Sequence, residues 1–71
     1  SEKDVLYSQL LQLAHDAPRS IERVELAPES RTAVAILRDG SRLRAHYPVE
    51  DSVLDLERLL ARAGVELRRD E

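Results

Sequence analysis

The chain contains no cysteine, methionine, phenylalanine or tryptophan, and its 71 residues include only two tyrosines and two glycines. Without cysteine, neither a disulfide nor a thiolate metal site can stabilise the fold. Without Phe or Trp, the core must be built from Leu, Val, Ile and Ala, and no aromatic platform is available for stacking bases or sugars. A chain of this length forms one domain, whose free energy of unfolding is about 3–5 kcal/mol.

Long apolar runs are absent as well. No run approaches the roughly 20 apolar residues of a membrane-spanning helix, and no signal peptide is recognised. If the parent is a membrane protein, we expect its spans to lie outside this sequence. The net charge of −3 comes from eleven basic and fourteen acidic residues that are interspersed along the chain. This balance disfavours nucleic acid or an anionic membrane as the main partner.

Two segments show the apolar spacing of helices. Ser8 is a good N-cap for the first, and Ala17-Pro18 should end it. The second begins at Asp51 or Ser52, and its apolar residues are Val53, Leu56, Leu59, Leu60 and Ala63. Gly64 follows where a left-handed C-terminal residue belongs, so we expect a Schellman motif that brings Val65 onto Leu60.

Strands are predicted over residues 20–26, 32–37 and 42–47, with a short last strand beginning at Val65. Ile21 is out of phase with its strand and marks either a bulge or the strand's entry. Asp39-Gly40 predicts a hairpin. The fold is therefore predicted as α+β in the order α-β-β-β-α-β, with two helices on one face of a small, mainly antiparallel sheet of about four strands. Residues 1–71 form a single domain with frayed ends at 1–4 and 68–71, and the strand order is left open.

Few residues suggest chemistry. His15 and His46 lack the paired spacing of a metal site, and there is no HExxH motif. Ser8 has no glycine-flanked elbow and is interpreted as a cap rather than a nucleophile. Paired carboxylates can do acid–base work only in a pocket, whereas these lie at a helix start, at Glu50, Asp51, Asp55 and Glu57. We therefore predict no catalytic, cofactor-binding or metal-binding residue.

The strand at residues 42–47 carries a basic stripe. Its alternation places Arg42, Arg44 and His46 on the face opposite Leu43 and Ala45. The stripe is a candidate interaction face for an acidic partner or lipid headgroups. The alternative is a solvated strand face whose arginines deter aggregation.

Five segments in order carry a resemblance to a known family: Tyr7-Ser8 with Leu10-Leu11, Val24-x-Leu26, Leu37-x-Asp39-Gly40, Tyr47-Pro48-Val49 with Asp51, and Gly64-Val65-Glu66. Together they resemble the extracytoplasmic domain of FtsH-type proteases, the membrane-bound ATP-dependent zinc metalloproteases. The likeness covers about residues 5–67. It implies a domain between two transmembrane helices, in the bacterial periplasm or in the intermembrane space or lumen of an organelle.

The resemblance also implies partners. The parent protein would be a hexamer that extracts and degrades membrane proteins, and ATP and zinc would belong to domains absent from this sequence. This domain would be non-catalytic, contributing to hexamer packing and contacting membrane protein substrates or prohibitin-like regulators. We expect it to self-associate only weakly in isolation, since 71 residues offer limited surface for a stable interface. The alternative is a free-standing cytosolic protein-binding module that uses the exposed sheet face. A small enzyme is a third interpretation, and it requires a pocket with a perturbed titratable group.

Overall fold

The computed structural model of the chain describes residues 1–69. Its elements are β1 (Glu2–Asp4), α1 (Tyr7–Asp16), β2 (Ile21–Ala27), β3 (Thr32–Leu37), β4 (Arg42–His46), α2 (Val53–Ala63) and β5 (Glu66–Arg69). The α+β class and the two helices are confirmed. The observed order is β-α-β-β-β-α-β, and it differs from the predicted order by the additional first strand, β1. Neither helix of residues 1–69 is long and apolar enough to cross a lipid bilayer.

The sheet has five strands in the order β1-β4-β3-β2-β5. The central strand β3 pairs antiparallel with β2 and β4, whereas the edge strands β1 and β5 pair in parallel with β4 and β2. The prediction of a mainly antiparallel sheet of about four strands is therefore corrected to a mixed sheet of five. The last strand, β5, lies at one edge of the sheet and pairs in parallel with β2.

The first strand has no apolar alternation, because its residues are Glu2, Lys3 and Asp4, all exposed. It is instead held by backbone hydrogen bonds along β4. The ladder extends beyond the strand, since the Val5 N–H donates to the Arg44 carbonyl at 2.9 Å and the Arg42 N–H donates to the Ser1 carbonyl at 2.9 Å. Residues 2–4 and 68–69, which lie in the ends predicted to fray, thus belong to the two edge strands. Asp70 and Glu71 lie outside the described residues.

The core lies between the helices and one face of the sheet. The helices contribute Leu10, Ala14, Val53, Leu56 and Leu60, and the sheet with its adjoining tyrosine contributes Ile21, Val24, Leu26, Ala33, Ala35, Ala45 and Tyr47. Alanines on the central strand leave room for both helices to approach closely, as close packing of the interior requires. The apolar residues predicted for the second helix are confirmed except Ala63, which is exposed. Ile21 is the first residue of β2, and the register of β2 against β3 shifts between Ile21 and Arg23, so Ile21 lies at the strand's entry, next to a bulge or other irregularity.

The first helix starts differently from the prediction. Leu6 occupies the N-cap position, so Ser8 lies inside α1 and does not cap it. Gln9 stands three residues after the cap, and its Oε1 accepts a hydrogen bond from the Leu6 N–H at 2.9 Å. The side chain that satisfies the helix start is therefore Gln9, since the leucine at the cap has no acceptor.

The second helix follows a 3-10 turn at Glu50–Ser52, and Ser52 holds its N-cap position without a side-chain hydrogen bond. Its C-terminus confirms the sequence prediction. Gly64 has φ 75°, and its N–H donates to the Ala61 carbonyl at 3.2 Å. The Val65 N–H donates to the Leu60 carbonyl at 2.9 Å. These two bonds form the predicted Schellman motif.

Candidate functional site

The predicted interaction residues lie on the face of the sheet that the helices leave uncovered. Ala45 points into the core, so the alternation of β4 turns Arg42, Arg44 and His46 to the opposite side. The structure therefore places all three on one surface, which we call the open face.

Two rows of side chains cross all five strands on the open face. The first row is Glu2, Arg42, Ile36, Arg23 and Glu66, and the second is Asp4, Arg44, Val34, Glu25 and Arg68. Each row has an apolar residue at its centre, two arginines and two carboxylates. Each row therefore has no net charge, although the residues that β4 contributes are basic.

The charges in these rows are paired. Arg44 Nε donates to Asp4 Oδ1 at 2.9 Å, and its Nη1 lies 3.6 Å from Glu2 Oε1. Glu25 is shared, with Arg23 Nε at 3.0 Å from Oε2 and Arg42 Nη2 at 3.9 Å from Oε1. The acidic residues of β1 and Glu25 of β2 thus neutralise Arg42 and Arg44, which the sequence alone presents as a basic stripe.

The ion pair between Asp4 and Arg44 shifts the pKa values of both side chains. The hydrogen bond from Arg44, and then its charge, hold the pKa of Asp4 below its ordinary value. The same contact raises the pKa of Arg44. Both side chains are in contact with solvent, so the pair contributes little to stability. Its main effect is to remove the free cation from the open face.

The two histidines lie on opposite sides of the molecule. His46 is exposed beyond the paired rows, while His15 belongs to α1 and its Nδ1 lies 2.8 Å from Asp16 Oδ1. Hydrogen bonds from Gln12 and then from His15 lower the pKa of Asp16. In residues 1–69, no group of three His, Cys, Asp or Glu side chains is arranged to hold a metal ion.

A tyrosine pair, whose contact the sequence did not reveal, joins three segments at one end of the fold. The rings of Tyr7 and Tyr47 lie with their centroids 5.8 Å apart and their planes tilted by 51°. The Tyr7 hydroxyl donates to the Ser52 carbonyl at 2.8 Å. Burial, reinforced by the negative charge of Asp55, raises the pKa of Tyr7 to about 12. The pair thus ties the starts of both helices to the end of β4 rather than supplying a group that titrates near neutrality.

A second surface that sequence reasoning missed is a groove of about 410 Å³ between the helices, here called the helical groove. It is lined by Ser8, Leu11, Gln12 and His15 of α1 and by Asp55, Arg58, Leu59 and Arg62 of α2. The sequence signal was present, because Leu11 and Leu59 are apolar positions beside the buried stripes. Glu57, one of the acidic residues at the start of α2, is bound by Arg69 instead.

Neither the family models nor the curated proteins compared with this chain give a significant match. The resemblance to FtsH-type proteases therefore rests on the residues quoted above.

Proposed function

We propose that this chain is the non-catalytic extracytoplasmic domain of a membrane-anchored AAA+ zinc metalloprotease of the FtsH type. In this role it contributes to hexamer packing and contacts membrane protein substrates or prohibitin-like regulators. The domain would face the bacterial periplasm, or the intermembrane space or lumen of an organelle. ATP and zinc would act in other domains of the parent protein.

The observation that carries the proposal is the contact between two of the five motif segments, the first and the fourth. Tyr7 belongs to the first segment of the resemblance, Tyr47 to the fourth, and Ser52 follows that fourth segment directly. Their ring contact and the 2.8 Å hydrogen bond join residues forty or more positions apart in the chain. A set of short motifs with a common structural role is more specific than the same motifs scattered over a surface, and this supports a shared fold.

The chemistry of the surface supports a non-catalytic role. Acid–base catalysis at neutral pH needs groups whose pKa values are moved toward 7 in a pocket. The shifts of Asp4, Asp16 and Tyr7 all move away from 7. Ion pairs and hydrogen bonds at the surface account for the carboxylates, and burial accounts for the tyrosine.

The membrane proposal is tested by the gene and by topology. We expect hydrophobic segments of about 20 residues on both sides of the domain. A phosphatase fusion after Glu71 in the full-length protein should then be active only where the domain is extracytoplasmic. A start codon directly before Ser1 with a stop codon directly after Glu71 would overturn the proposal and favour the free-standing cytosolic module.

Sedimentation velocity tests the assembly role. Over about 10 µM to 1 mM, which spans weak affinities, we expect a monomer that associates only near the top of the range. Tethering to membrane helices and an ATPase ring would raise the effective concentration in the parent. A discrete hexamer at the lowest concentration would contradict the proposed dependence on tethering.

A further inference from the structure

The two helices present matched stripes to the helical groove. The groove-lining positions of α1 are 8, 11, 12 and 15, and those of α2 are 55, 58, 59 and 62. Both sets follow the spacing i, i+3, i+4, i+7, which marks one face of a helix. The contact between Tyr7 and Ser52 brings the two helix starts together. Each helix joins two strands that run in the same direction, β1 to β2 and β4 to β5, so the stripes run side by side in the same direction. With this geometry, the helical groove can accommodate a third helix.

The centre of the helical groove is apolar. Leu11 and Leu59 pack against the core but are only partly buried, so each presents apolar surface to the groove. Burying such surface is the main driving force when an amphipathic helix enters a groove. The two ends of the helical groove differ in charge, since Asp55 lies near the N-terminal ends of the helices and Arg62 near their C-terminal ends.

The arginines of the groove differ from those of the open face. Within residues 1–69, neither Arg58 nor Arg62 forms an ion pair with a carboxylate. They stand four residues apart on one helix, where like charges repel. Among the described residues, Asp55 is the carboxylate that lines the groove, three residues before Arg58, and the carboxyl of Asp16 is bound by Gln12 and His15. Two cations without an ion pair in this part of the chain, beside half-buried leucines, are complementary to carboxylates flanking an apolar stripe.

We propose that the helical groove binds an acidic amphipathic helix of a partner protein. The partner's apolar stripe lies on Leu11 and Leu59, and its carboxylates pair with Arg58 and Arg62. The charge of Asp55 disfavours carboxylates at the other end, so the partner's acidic residues cluster near the C-terminal ends of α1 and α2. The inference deepens the proposed function by naming the kind of partner, and it rests on that function only in treating the chain as an interaction domain.

The test uses the 71-residue chain, labelled with ¹⁵N, and a synthetic helical peptide of about 14 residues, or four turns. The peptide carries leucines along one stripe and two glutamates four residues apart beside it. A control peptide has lysines in place of the glutamates. We expect the acidic peptide to shift the amide signals of the groove-lining residues, while the lysine peptide binds at least about tenfold more weakly.

Three double variants locate the binding. Arg58→Gln with Arg62→Gln should weaken the acidic peptide about tenfold, as the loss of two exposed ion pairs implies. The matched pair on the open face, Arg42→Gln with Arg44→Gln, should leave the affinity within about twofold, because those residues lie outside the groove. Arg58→Lys with Arg62→Lys keeps the charge and should retain most of the binding. The ¹⁵N spectrum of each variant shows that the fold is intact.

Several outcomes would overturn the proposal. They are no binding of the acidic peptide, equal binding of the lysine peptide, equal loss in both glutamine variants, or signal shifts confined to the open face. Shifts of the groove signals by vesicles of anionic lipid, with none by the peptide, would assign the groove to a membrane surface instead. Groove binding without flanking hydrophobic segments in the gene would sink the membrane proposal alone, and the reverse result would sink only the groove.

Discussion

Two pairs of arginines, Arg42 with Arg44 on β4 and Arg58 with Arg62 on α2, look alike in sequence and differ in the folded molecule. Each pair has the spacing that places both members on one face of its element. The pair on β4 has carboxylates from β1 and β2 within 4 Å. The pair on α2 has none among the described residues. The cations of the helical groove are therefore available to a partner, and those of the open face are already engaged.

The two arginine pairs differ because a side chain on a helix and a side chain in a sheet have neighbours from different parts of the sequence. On a helix, the neighbours of a side chain lie three and four residues away in the chain, so local sequence largely sets its surroundings. In a sheet, the neighbours belong to other strands, and Asp4 is forty residues from the Arg44 that it binds. A basic stripe on a predicted strand is therefore weak evidence for a basic surface until its flanking strands are known.

The largest expected effect removes the packing on which both surfaces depend. Leu56 is 0% exposed beneath α2, and Leu56→Ala should cost about 2–5 kcal/mol of the free energy of unfolding. A domain of this size has only about 3–5 kcal/mol to lose, so we expect the variant to be largely unfolded at 25 °C. Urea denaturation followed by circular dichroism measures this effect. Leu54 lies on the same helix at 47% exposure, so Leu54→Ala should change stability by less than about 0.5 kcal/mol.

A smaller effect is expected where the tyrosine pair ties the two surfaces to a common end. Tyr7→Phe removes the hydrogen bond to the Ser52 carbonyl and should cost about 1 kcal/mol. In the described part of the chain the Tyr47 hydroxyl has no hydrogen-bond partner, so Tyr47→Phe is a matched control and should be close to neutral. Both variants keep the aromatic ring, so a larger cost for Tyr47→Phe would show that the hydroxyl of Tyr47, not that of Tyr7, makes the hydrogen bond that matters for stability.

The same variants give a distinct pH dependence. The pKa of Tyr7 is raised from 10.0 to about 12, so its neutral form is favoured by folding. The corresponding stability is fully present below pH 10 and is lost as the pH rises through about 12. We expect unfolding free energies measured between these limits to fall less steeply in Tyr7→Phe than in Tyr47→Phe.

Elements defined by local signals were predictable from the sequence. The apolar stripes of both helices, the strand Thr32–Leu37 and the hairpin at Gly40 depend on periodicity or on a residue that accepts positive φ. Gly64 and Val65 likewise announced the end of α2. In each case the information lies within a few residues of the feature.

Features that depend on distant neighbours were not predictable. The strand Glu2–Asp4 has three charged residues and no alternation, and only its pairing with β4 makes it a strand. The neutral rows of the open face and the meeting of Tyr7 with Tyr47 depend on the same long-range arrangement. The candidate interaction residues were correctly placed together, yet their charge environment was not foreseen. The predicted N-cap of α1 was wrong for a local reason. Serine is a far commoner N-cap residue than leucine, so Ser8 was preferred to Leu6, but the hydrogen bond at the helix start comes from the side chain of Gln9.

A subtler effect tests the pairing of the open face. Arg44 lowers the pKa of Asp4 from its ordinary 3.8, so Arg44→Gln should return that pKa toward this value. Since the folded pKa is lowered, the pair stabilises the fold above about pH 4, and this contribution is lost as the pH falls through the lowered pKa. A carboxyl ¹³C titration by NMR measures the change directly. Arg62→Gln should leave the titration of Asp4 unaltered, and a shift there would mean that the two arginine pairs are not electrically separate.

The smallest effect distinguishes the two pairs by size. Arg58→Glu replaces a repulsion with Arg62 by an attraction four residues apart, but it also places a carboxylate three residues after Asp55, so the two changes oppose each other and the net change in stability should be below about 0.3 kcal/mol. The same change at Arg42 places a carboxylate between Glu2 and Glu25 and should destabilise the sheet by about 0.5–1 kcal/mol. Thermal unfolding at low salt resolves both effects, and added salt should shrink both because the groups are exposed. If Arg58→Glu destabilised the protein as much as Arg42→Glu, Arg58 would have a partner in solution that the fold does not show, and the groove would lose one of its two cations.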